Sequence, residues 1–99
     1  MKLIDLIDNI DEVGNNLVIY TQAGERLHPD IYAITGLTNE YVQNEKPPEG
    51  LDYFLEVELA KEAIQVWQTW RNGKSPNKFE KYQAVVYYAE HDAYLPADN

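Results

Sequence analysis

The chain contains no cysteine. That excludes disulfides, thiolate metal sites and cysteine nucleophiles together, and it fits a reducing compartment. Serine is almost as scarce, Ser75 being the only one. A Ser-His-Asp device would have to use it, and its place before Pro76 explains it better as a helix cap. The five glycines are scattered, so there is no glycine-rich phosphate loop. Long apolar runs are missing too, and nothing approaches the roughly 18 residues of a membrane span. The opening MKLIDLIDNIDE is interrupted by acids every few residues, so it reads as neither a signal peptide nor a transit peptide. A cytoplasmic protein without membrane contact is expected.

Positive charge is the other shortage. Eight Lys and Arg stand against 17 Asp and Glu in 99 residues, for a net charge of -9. Such a field repels phosphate backbones and anionic lipids and attracts basic partners. The cations Arg71, Lys74, Lys78 and Lys81 cluster between the last two helices. On so anionic a molecule, four cations release few counterions from a nucleic acid. They read as a solvated connection, with no direct nucleic-acid contact. The first fifty residues hold nine acids and three bases, a net of -6. The negative surface is therefore expected in the N-terminal half, on the first helix and the loop before Pro47.

What is present is enough for one domain over residues 1–99. Apolar residues make up 44% of the chain, which supplies a core. Leu3, Leu6, Ile7, Ile10 and Val13 recur with helical period, with Asp5, Asp8 and Glu12 opposite. Leu17–Thr21 is a β-branched and aromatic run, hence a strand. A turn follows around Gly24, and Arg26 and Leu27 offer a return strand before Pro29. Residues 31–35 form a second β-prone run stopped by Gly36, with Asp30 as an alternative cap for a short helix. Residues 38–50, with Pro47, Pro48 and Gly50, form a long loop. Leu51–Val57 offers a third strand running straight into a helix over Glu58–Arg71. On that helix Leu59, Ala63, Val66, Trp67 and Trp70 form the apolar face, with Ala60 and Ile64 at its margin. Ser75-Pro76 signals the start of a last helix reaching about His91. Phe79, Tyr82, Val86 and Ala89 form its buried stripe, with Val85 alongside, while Tyr87 and Tyr88 point elsewhere. The expected fold class is α+β: an N-terminal helix, a small antiparallel sheet of two to three strands, and two C-terminal helices packed on it.

Chemistry is thinly represented. The imidazoles of His28 and His91 lie far apart in sequence. They would need Asp30 and Asp92 to converge with them before an ion could be held, and no recognised ligand spacing is present. Glu58 and Glu62, four apart on a helix, read as a solvated face. No catalytic residue, metal or cofactor is expected. The tyrosines carry more weight. Eight Tyr and two Trp exceed what a core this size needs. Some of Tyr32, Tyr41, Tyr53, Tyr87, Tyr88 and Tyr94 must reach the surface, where a tyrosine beside carboxylates anchors a protein partner.

The segment Glu80–Leu95 carries the pattern Ala84, a hydrophobic residue, one further residue, Tyr87-Tyr88, three residues, then Asp92-Ala93-Tyr94. This ending resembles that of a family of small bacterial proteins similar to immunity proteins of toxin–immunity systems. The resemblance implies a protein that binds and blocks a cognate toxin, with Asp92 in a structural role near the chain end. Charge and resemblance together give the leading expectation. It is a non-enzymatic inhibitor that binds a basic protein partner such as a toxin or nuclease effector. Asp5, Asp8, Asp11, Glu12, Glu40 and Glu45 would supply the electrostatics and Tyr41 an anchor. An anti-defence protein imitating DNA phosphates is the second expectation, and a small metal-binding or enzymatic module the third.

Overall fold

A computed structural model describes residues 1–37 and 47–97. The chain begins with helix α1 (Leu3–Asp8), a 3₁₀ turn η1 (Ile10–Glu12) and strand β1 (Leu17–Gln22). Strands β2 (Ala33–Leu37) and β3 (Leu51–Glu56) follow, then helices α2 (Val57–Thr69) and α3 (Lys78–His91). The fold is α+β, as the patterning predicts.

The N-terminal helix is shorter than its apolar period. Asn9 donates from its side-chain amide to the carbonyl of Asp5 at 2.9 Å, and the chain tightens into η1. The tighter turn keeps Ile10 on the side of Leu3, Leu6 and Ile7, and all four are buried. No side chain caps the start of α1. Instead the amides of Leu3 and Ile4 donate to the carbonyls of Ile31 and Pro29, at 2.8 and 2.9 Å. The first-turn amides that a helix leaves unpaired are satisfied there by the segment before β2. Arg26 and Leu27 therefore form no return strand. Pro29 lacks an amide for a ladder, and its carbonyl serves α1.

β1 is the central strand of the sheet, in the order β2-β1-β3, and both of its pairings are antiparallel. Gly36 does not stop β2; it pairs with Val18 inside the strand. A Cβ there would lie 3.2 Å from the ring of Tyr20, a tight contact that would oblige the ring to shift by a few tenths of an ångström. Between β1 and β3 the register slips at Ile19/Tyr20, leaving Phe54 as the extra residue. The slip lets consecutive residues Phe54 and Leu55 both enter the core.

β3 runs into α2 without a connection. That entry sets the rotation of α2: Val57, Ala60, Ala63, Ile64 and Trp67 are buried, and Trp70 stays 49% exposed. Trp70 therefore stays outside the core although it falls on the apolar face of the helix. α3 likewise starts later than Ser75-Pro76 suggests. Asn77 is the cap, accepting from the Glu80 amide at 2.8 Å, while the Glu80 carboxylate accepts from the Asn77 amide at 3.0 Å. This reciprocal box satisfies two amides and outcompetes the serine. Phe79, in the first turn, is 56% exposed, and α3 buries Tyr82, Ala84 and Val85. Tyr88 packs partly against the core and does not point away from it. α3 ends at Asp92 in the left-handed conformation, its amide donating to the Tyr88 carbonyl at 2.8 Å.

One core cluster joins Leu3, Ile7, Ile19, Leu55, Val57 and Val85, so all three helices pack on the sheet through shared contacts. The segment after α3 folds back. Tyr94 meets Trp70 edge-on at 5.9 Å and Tyr88 at 5.2 Å, and its hydroxyl donates to Glu62. Arg71 lies 4.4 Å from the centre of the Trp67 ring and donates to the Pro96 carbonyl at 2.9 Å.

Candidate functional site

The acids expected to read a partner divide into groups with different surroundings. Asp5 and Asp8 are half-buried where α1 packs on α3. Asp5 is ion-paired with Lys78. The Lys81 ammonium donates to the Asp8 carboxylate at 3.2 Å and to the Asp8 carbonyl at 3.1 Å. The hydrogen bond from Lys78 holds the Asp5 carboxyl below its ordinary value, and the same bond raises Lys78. These two acids join helices.

Asp11 and Glu12 lie one turn further on and are exposed on η1, with no ion pair among the described residues. The Lys61 ammonium fixes η1 to α2 by donating to the Val13 carbonyl and the Asn15 side chain, both at 2.6 Å. Lys61 is thus spent on a carbonyl and a side-chain amide and not on a carboxylate. The structure brings η1 to the helix whose first turn carries the exposed Glu58. Glu40, Tyr41 and Glu45 lie outside the described residues.

The remaining cations follow the same pattern. Lys2 pairs with Asp30 at 3.6 Å and Lys74 with Glu80 at 3.2 Å, while Arg71 is held by two carbonyls and a ring. Every described lysine is engaged within the molecule. Arg26 is the cation with no partner among the described residues. The acids Asp11, Glu12, Asp52, Glu56, Glu58 and Glu90 are exposed and carry no ion pair among them. The net negative charge therefore emerges on η1, on β3 and its junction with α2, and at the end of α3. It does not emerge on α1.

Exposed aromatic surface accompanies these acids. Tyr53 is 51% exposed between Asp52 and Phe54 on β3, and Tyr32 is exposed on the run into β2. Partial burial raises the Tyr53 hydroxyl above its ordinary value, and the Glu56 charge adds to it. The phenol stays neutral and able to donate. Exposure along Leu51–Glu56 does not alternate, because the register slips at Ile19/Tyr20, so no simple period in the sequence marks Tyr53 as exposed.

The histidines do not converge. His28 is hydrogen-bonded to Glu25 at 2.8 Å, and His91 packs on Tyr87 with ring centres 4.3 Å apart. Among the described residues no three His, Cys, Asp or Glu side chains gather closely enough to hold a metal ion. Of the Glu58–Glu62 pair, Glu62 is the acceptor for Tyr94. Among the described residues no helix is long and apolar enough to cross a membrane.

Comparison with protein families, curated proteins and solved structures finds no match to this chain.

Proposed function

We propose that this protein is a small acidic inhibitory protein-binding module, in its most concrete form an immunity protein that binds and neutralises a basic toxin such as a nuclease. One observation carries the reading. The described lysines are consumed by internal contacts, and the acids of η1, β3, the start of α2 and the end of α3 are left outward and unpaired. A surface of unpaired carboxylates steers a basic protein toward it and discriminates against acidic ones. Half-exposed Tyr53 stands among these acids and supplies the apolar contact that charge alone does not provide. The resemblance of Ala84–Tyr94 to the ending of immunity-like proteins supports the same reading. The protein acts by occupancy and catalyses no reaction.

The test is inhibition. The purified protein is titrated into the proposed basic toxin or nuclease partner, sought as the product of the neighbouring reading frame, and toxin activity is followed. Loss of activity that is complete at one molar equivalent and weakens as salt rises supports the proposal. Full toxin activity in the presence of excess protein at low salt overturns it.

A further inference from the structure

A cleft of about 220 Å³ opens between the start of β3, the turn after β1 and the end of α3. Three carboxylates line it, from Glu25, Asp52 and Glu90, and no lysine or arginine is among its lining residues. Glu25 already holds His28, whereas Asp52 and Glu90 have no ion pair among the described residues. The walls are apolar, with Leu27 and Phe54. At its inner side sits Thr21, a polar residue only 4% exposed. The Thr21 hydroxyl has no hydrogen-bond partner among the described residues, yet it is not sealed from solvent. The opening that reaches it is the cleft it lines.

Each feature selects for the same occupant. The volume falls below the roughly 300–1,000 Å³ of a small-molecule site and suits one side chain. The carboxylates call for a cation, but they do not converge tightly enough to hold a metal ion. They suit a broad cation with several separated donors. A guanidinium has five donors in a planar fork and is weakly hydrated, whereas an ammonium is a compact point charge. The apolar walls match the methylene stem of such a side chain.

We propose that this cleft receives an arginine side chain of the basic protein partner, with Asp52 and Glu90 pairing the guanidinium and Thr21 accepting from it. The inference rests on the function proposed above and names the residue chemistry that the surface reads.

The experiment is an amide chemical-shift titration of the intact protein with N-acetyl-arginine methylamide, in parallel with its uncharged citrulline analogue. The arginine probe should give saturable shifts confined to the amides around Thr21, Asp52, Tyr53 and Glu90, and the citrulline analogue should not. The double variant Asp52→Asn with Glu90→Gln, both exposed and harmless to the core, should weaken binding about tenfold. A milder weakening is expected for Thr21→Val, which keeps the shape and removes the hydroxyl. Non-saturating shifts spread over η1 and α2, equal shifts with citrulline, or unchanged affinity in the double variant would each overturn the assignment. Its failure is separable from that of the function proposed above. A toxin inhibited equally by the native protein and the double variant removes the arginine cleft and leaves the inhibitor. A toxin not inhibited at all removes the inhibitor, while the arginine titration still decides the cleft.

Discussion

Asp5 and Asp11 are the same residue six positions apart, and the fold gives them opposite tasks. Asp5 faces Lys78 and closes a contact between two helices, whereas Asp11 faces solvent with no counter-ion among the described residues. Their titration follows from these surroundings. Asp5 is held below its ordinary 3.8 by the Lys78 hydrogen bond, and Glu80 below its ordinary 4.5 by the Asn77 amide. A carboxyl lowered by folding adds stability above its ordinary value and loses that contribution as pH falls through the lowered one. Urea midpoints should thus hold steady from neutrality down to about pH 4.5 at these two sites and fall below it. Replacing Asp5 by Asn should flatten part of that fall. Tyr94 behaves in the opposite sense. Its bond to Glu62 pushes the phenol up to about 12, so its contribution is complete below 10.0 and lost as pH rises from there to about 12. Ring resonances of Tyr94 should titrate late, and Glu62→Gln should bring them back toward the ordinary value.

Among the elements, α3 offers the sharpest contrast between local sequence signal and realised structure. The sequence signal for a helix start lies at Ser75-Pro76, but the reciprocal pair of hydrogen bonds forms between Asn77 and Glu80. Asn77→Ala should therefore cost about 1 kcal/mol in chemical denaturation, and Ser75→Ala less than about 0.5 kcal/mol. Equal costs would contradict the assignment of the cap. Much of the architecture was legible for the same kind of reason. β1 followed from its β-branched and aromatic run, β3 from a segment offering a strand that runs straight into a helix, and α2 from its apolar face. Features set by distant contacts were not legible. β2 begins at Ala33 because residues 29–31 are occupied in capping α1. Trp70 leaves the core because β3 enters α2 directly at Val57 and fixes its rotation. The pairing of Asp5 with Lys78 joins residues far apart in sequence, so counting charges along α1 overstated how much of its charge reaches a partner. Asp11 and Glu12 were legible as exposed acids, because η1 carries them past the last buried position, Ile10.

Over the whole molecule, the net charge of -9 is unevenly neutralised. Lysines of α3 cancel the acids of α1, and Lys61 is held by main-chain and amide oxygens near η1. The field that remains emerges from η1, β3, the first turn of α2 and the end of α3. The central claim is that a basic partner reads this outward set and not the acids of α1. The most direct measurement is the association rate with the proposed basic toxin partner at low and moderate salt, for two charge-neutralised variants of the folded protein. One variant combines Asp11→Asn, Glu12→Gln and Glu58→Gln, and the other combines Asp5→Asn and Asp8→Asn. The first should slow association several-fold and flatten its salt dependence. The second should lower stability and leave the rate within about twofold of the native protein. A rate that falls with the α1 pair and survives loss of the η1–α2 acids would contradict the account.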